Sequence, residues 1–138
     1  MASNKTENSQ KQEEEFEVDR DKVCPLLLRC FWKLEGHHRV DEFADANRGI
    51  VPIDEVQIYT WPDASLRELT DLIKDVNPVA RRRNARLSFS FVYPDKRGRN
   101  VMKQVGMIYS NRKGEDDSKT LKTLRFQTGD FLDIAIYG

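Results

Sequence analysis

Glu55-Val-Gln-Ile-Tyr-Thr-Trp-Pro-Asp-Ala-Ser-Leu-Arg-Glu-Leu-Thr-Asp-Leu-Ile-Lys-Asp-Val76 changes its apolar period in mid-course. Its first part alternates, with Val56, Ile58 and Thr60 on one face and Gln57, Tyr59 and Trp61 on the other, which predicts a strand. After a turn at Pro62-Asp-Ala64, Ser65 can accept from the Glu68 amide while Glu68 reaches back, a capping box. Leu66, Leu69, Leu72, Ile73 and Val76 then recur at helical spacing, so one stripe of the predicted helix faces a core. Asn77-Pro78 ends it, because a residue before proline is pushed out of the α region.

Upstream, Val23-Cys-Pro-Leu-Leu-Leu-Arg-Cys-Phe-Trp32 reads as a strand buried on both faces, with Pro25 at an edge or outside the ladder. Glu35 to Gly49 has no sustained period and predicts a long ordered loop, with one helical turn around Asp41 to Ala46. Downstream, Leu87, Phe89, Phe91 and Tyr93 share one face of a third strand. Val101 to Tyr109 is a weaker apolar segment broken by Gly106 and predicts a short strand. A charged loop from Ser110 to Lys119 precedes a last strand that puts Leu132, Ile134 and Ile136 on one face. The order strand, strand, helix, strand, short strand, strand is packed economically as a mixed sheet laid on one helix. That is an α+β, ubiquitin-like β-grasp with a long loop insertion after the first strand. Parallel pairing of the terminal strands at its centre would account for their being the most apolar.

A chain of 138 residues has room for one such domain and a tail. Up to Lys22 the sequence is polar, with seven acids against four bases and Phe16 its one large apolar residue. We read residues 1–22 as a disordered acidic tail and 23–138 as the domain. The formal net charge is zero, so a mildly basic domain follows an acidic tail, and nothing demands a polyanion or an anionic membrane. No apolar run approaches the roughly 18 residues of a membrane span, and Met1-Ala-Ser-Asn-Lys lacks the apolar segment of a secretory signal, so an intracellular protein is expected. Cys24 and Cys30 lie too far apart along an extended strand to bridge, and are read as reduced, half-buried thiols.

Several blocks resemble the eighteen-kilodalton Sin-three-associated polypeptide family. They are Cys24-Pro-Leu-Leu-Leu-Arg29, His37-His-Arg-Val-Asp-Glu-Phe43, Gln57-Ile-Tyr-Thr-Trp61 with Leu66-Arg-Glu-Leu69, Arg112-Lys-Gly114 with Asp116-Asp-Ser118, and Phe126-Gln-Thr-Gly-Asp-Phe-Leu-Asp-Ile-Ala135. In order, they span nearly all of Val23 to Tyr137. The resemblance implies a non-enzymatic, ubiquitin-like adaptor without cofactors, nuclear, with a cytoplasmic pool left open. It implies membership of a Sin-three histone deacetylase corepressor assembly. It also implies a splicing-associated trimer with an acinus-like or pinin-like segment and an RNA-binding protein carrying a serine-rich domain, linked to the exon junction complex. Nucleic acid would then be met only indirectly, and the chain would be a monomer on its own.

The residues themselves nominate few sites. His37 and His38, with Asp41 nearby, lack the spacing that lets ligands converge on a tetrahedral metal, so no metal is expected. His38 with Asp41 could orient a catalytic step, but no nucleophile or glycine elbow stands beside them. The loop with His37, His38, Asp41 and Phe43 is read as a partner surface or as a cover for one end of the sheet. Tyr59 and Trp61 are candidate aromatic anchors for a partner. Arg81, Arg82, Arg83 and Arg86 form the one basic cluster, a nucleic-acid contact, an import patch or a solvated helix exit. Two alternatives to the adaptor remain. A ubiquitin-like modifier needs a flexible C-terminus, usually Gly-Gly, whereas Tyr137-Gly138 follows the last strand directly; a direct RNA-binding module would rest on the arginines.

Overall fold

The computed structural model describes residues 17–138, so the expectation of disorder over residues 1–16 lies outside the described residues. Five strands, β1 (Leu26–Leu34), β2 (Glu55–Thr60), β3 (Arg86–Pro94), β4 (Asn100–Tyr109) and β5 (Phe131–Tyr137), form one sheet crossed by helix α1 (Leu66–Val76). The sheet order is β2-β1-β5-β3-β4. β1 and β5 pair in parallel at the centre, Arg29 opposite Phe131 through Leu34 opposite Ile136, and every other pairing is antiparallel. This is the expected β-grasp.

Alternation assigns the two faces. Leu28, Cys30, Ile58, Leu87, Phe89, Leu132, Ile134 and Ile136 point at α1 and enclose Leu66, Leu69 and Ile73 in the main core. Burying each such side chain contributes about 1.5–3 kcal/mol. Of the expected helical stripe, Leu72 and Val76 instead sit at the exposed margin, and Thr70 takes a buried place by donating its hydroxyl to the Leu66 carbonyl at 2.9 Å. The capping box closes on one side only: Ser65 accepts from the Glu68 amide at 3.1 Å. The Glu68 carboxylate takes the Arg20 guanidinium at 3.1 and 3.2 Å.

β4 departs most from expectation, running ten residues straight through Gly106. Glycine is needed there for room, since a Cβ would stand 2.6 Å from Leu66 Cδ1 and 3.3 Å from Asp116 Oδ2. The register shifts by one between Phe89 and Ser90, a bulge that accommodates the extra residue. Two short 3-10 turns, Val40–Phe43 and Ala46–Arg48, replace the single helical turn expected in the long loop. Cys30 is fully buried, whereas Cys24 precedes β1 and is exposed, so the two thiols do not share the half-buried setting expected of them.

Candidate protein-interaction face

The sheet face turned away from α1 carries Leu27, Arg29 and Phe31 of β1, Glu55, Gln57 and Tyr59 of β2, Ser88, Ser90 and Val92 of β3, and Phe131 and Asp133 of β5. The loop between β1 and β2 covers the half above β3 and β5. Its anchor is Phe43, which is fully buried against Phe31 and Phe131 at centroid distances of 5.3 and 5.6 Å, beside Val92 and Met102. At the loop's near end, Asp133 of the central strand is wholly buried. It accepts from His37 Nδ1 at 2.7 Å and from His38 Nδ1 at 2.6 Å. His37 Nε2 meets the Ser88 hydroxyl at 2.9 Å, which in turn accepts from the Gln104 amide at 2.9 Å. The proton directions are mutually consistent: Gln104 donates to Ser88, Ser88 to His37, and His37 to Asp133.

This geometry separates the residues nominated from sequence. His37, His38 and Phe43 come together, directed inward as the loop's fastening. Asp41 does not join them; it is exposed and lies 3.3 Å from Arg39, so the His38–Asp41 orienting pair does not form. The carboxylate that orients His38 is Asp133, supplied by a strand distant in sequence. Tyr59 is 66% exposed on the uncovered half of the face, opposite the exposed Leu27. Trp61 is half-buried: its indole N–H donates to the Val23 carbonyl at 2.7 Å and the Arg20 guanidinium lies 4.9 Å over its ring. It thereby holds the segment before β1 against the turn at Asp63, which accepts from the Val18 amide at 3.0 Å and from Arg20 at 2.9 Å.

Asp133, Ser88 and Gln104 escaped the sequence reading. One signal points to Asp133: an acid in the middle of an apolar strand placed at the sheet centre requires a partner, and the chain has only two histidines. Between the halves of the face, Arg29 and Glu55 form a two-pronged pair at 2.6 and 2.9 Å. The Arg29 guanidinium holds the Glu55 carboxyl below its usual range against the opposing effect of burial.

The sheet edges differ. β2 pairs with β1 alone, and among the described residues no backbone hydrogen bond reaches the outer side of Glu55–Thr60. On β4, the outward Met107 amide is taken by the Asp116 carboxylate at 2.9 Å, which closes that stretch of the edge. The loop carrying Asp116 is organised by Arg67 of α1, which donates to the carbonyls of Tyr109 at 2.7 Å and Arg112 at 2.6 Å and to Asp117 at 3.2 Å.

The basic cluster splits. Arg81 and Arg82 stand exposed at the helix exit, whereas Arg83 and Arg86 line a concavity of about 470 Å³ with Arg112. Arg86 lies 5.3 Å over the Tyr137 ring and Arg112 4.0 Å over that of Tyr109.

Comparison with known proteins decides the family. The family model for Sin3 associated polypeptide p18 (SAP18) matches residues 17–136. The chain belongs to the SAP18 family. Relatives described as histone deacetylase complex subunit SAP18 include one from Arabidopsis thaliana, 62% identical over 122 residues, covering 87% of this chain and 79% of the relative. Another, from Homo sapiens, is 51% identical over 138 residues, covering 99% and 88%. A third, from Drosophila melanogaster, is 46% identical over 121 residues, covering 87% and 79%. The SAP18 match begins at residue 17, ahead of Arg20 and its contact with Trp61.

Proposed function

We propose that this chain is a non-catalytic adaptor subunit of a nuclear Sin3-type histone deacetylase corepressor assembly, working by holding protein segments together. Family membership supports the assembly. The observation that carries the mechanism is the open edge of β2 beside the exposed pair Tyr59 and Leu27. An extended partner segment adds there as a strand, backbone hydrogen bonds giving affinity and the aromatic side chain giving selectivity. His37, His38 and Phe43 contribute to this surface by fixing the loop that leads into β2, with Trp61 at its margin, while Asp41 stands on the outer side of that loop. In the finer reading, an acinus-like or pinin-like segment and an RNA-binding protein with a serine-rich domain are further partners, in transcriptional repression and in splicing.

The test is affinity purification of tagged protein from nuclear extract, with deacetylase activity and Sin3 assayed in the eluate. Wild type is expected to retain both, and Tyr59→Asp to lose most of both while its thermal melt is unchanged. A wild-type eluate free of deacetylase and Sin3 would overturn the assembly; a Tyr59→Asp eluate equal to wild type would overturn the edge.

A second reading, contact with nucleic acid through Arg83, Arg86 and Arg112, is favoured by the convergence of these three arginines on one concavity with no Asp or Glu side chain in its lining. Tight binding of single-stranded RNA with a steep salt slope would support it; weak, salt-insensitive binding would not. Arg81, Arg82, Arg83 and Arg86 are read as an import patch if reporter accumulation in the nucleus falls on their replacement.

A further inference from the structure

The loop that covers the sheet leaves a concavity of its own. Between Lys33 near the end of β1 and Asp54 before β2, it folds round a space of about 530 Å³. Ile53 on its lining is 96% exposed and Ile50 is 55% exposed, although both belong to an ordered loop. Pro52 between Val51 and Ile53 restricts the backbone of this stretch. Large apolar side chains presented beside a concavity mark an interaction surface, because water gains from their removal.

The chemistry of the rim selects the occupant. Asp41, Glu42, Asp45 and Asp54 line it against the single cation Lys33. Asp41 is paired with Arg39, and the Glu42 carboxylate accepts from the Arg39 amide at 2.7 Å. Among the described residues, no ion pair or hydrogen bond engages the carboxylates of Asp45 and Asp54. Two acids without a cation beside two isoleucines without a cover are complementary to a basic, apolar-spaced segment. The chain's own first sixteen residues have the wrong sign, with four glutamates against two lysines.

We infer that the groove between Lys33 and Asp54 docks a basic protein segment whose spaced apolar side chains cover Ile50 and Ile53. Burial of the isoleucines supplies affinity, and Asp45 and Asp54 exclude acidic segments. The inference rests on the adaptor reading and names the chemistry of one partner segment, at a surface separate from the β2 edge.

The experiment titrates the purified chain against a fluorescein-labelled synthetic peptide of arginines with spaced leucines, followed by anisotropy. Ile53→Asp, at an exposed position that leaves the melt unchanged, is expected to weaken binding about tenfold, the equivalent of about 1.4 kcal/mol. Asp45→Lys combined with Asp54→Lys should reverse the preference, toward the same peptide with glutamate in place of arginine. Equal binding by an arginine peptide without leucines, indifference to Ile53→Asp, or no binding at all would each overturn the groove. So would sedimentation revealing a dimer that Ile53→Asp dissolves, since a second copy would then be the occupant. Deacetylase recovery by the wild type from nuclear extract, measured alongside, separates the readings. Recovery with an indifferent groove sinks only the groove; its absence sinks the adaptor reading.

Discussion

Asp133 grips His38 twice, Oδ2 accepting from its backbone amide at 3.1 Å and Oδ1 from its ring Nδ1 at 2.6 Å. With His37 on the same carboxylate, a fully buried acid in the central strand becomes the fastening for a loop far away in sequence. Removing one partner of a buried polar pair leaves the other uncompensated. Asp133→Ala is therefore expected to cost about 3–5 kcal/mol in urea unfolding. Asp133→Asn, which keeps one acceptor, should cost less. In both, amide exchange over residues 37–43 should accelerate ahead of the strands.

Gly106 makes a sharper steric claim. Valine there drives its Cβ into Leu66, which is fully buried and has little room to turn. Gly106→Val is expected to destabilise by about 1–3 kcal/mol, the usual range for overpacking. The double change Gly106→Val with Leu66→Ala should recover part of that loss. A single variant as stable as wild type in thermal melts would refute the contact.

The two thiols should behave oppositely toward Ellman's reagent. Burial pushes the Cys30 thiol well above the ordinary range and Glu55 adds to it, while Cys24 is exposed. Native protein is expected to release one equivalent of chromophore quickly and the second only in denaturant. Cys24→Ser should abolish the fast phase.

Acid should weaken the fold, with a sign set by particular carboxylates. Lys119, and after it the Met107 amide, holds Asp116 below its usual range, and Arg29 does the same for Glu55. A carboxylate lowered in the folded state contributes stability above its unfolded value, about 4, and loses it as pH falls through the folded value. Asp130 runs the other way, since burial raises it. Urea midpoints should fall steadily on acidification below about pH 5, and Asp116→Asn should flatten that slope.

Much of the architecture was legible because period reports burial directly. The switch from alternation to helical spacing at Pro62 located β2 and α1, and the apolar terminal strands foretold their central pairing. β4 reads as short from sequence because Gly106 looks like a break, whereas Leu66 and Asp116 need its missing side chain. Leu72 and Val76 were misplaced because spacing fixes a stripe but not its width. In the candidate face, Tyr59 was correctly placed on the side away from the helix by alternation alone. The sequence offers His37, His38, Asp41 and Phe43 as one group, yet the inward direction of the histidines depends on Asp133, about ninety-five residues later, and no local pattern encodes that contact. Ile50 and Ile53 carry no signal in the sequence, because isolated isoleucines in a loop give no hint of whether anything covers them.

The placement of β5 between β1 and β3 bears on how the protein comes into being. During synthesis the β1–β2 and β3–β4 pairs are made first, and the strand that belongs between them emerges after both. Until Phe131–Tyr137 is available, the two hairpins have no ladder joining them, and the histidines have no acid to grip. A nascent chain of this kind therefore cannot offer its finished surface until Phe131–Tyr137 has left the ribosome, however long the four earlier strands have been exposed.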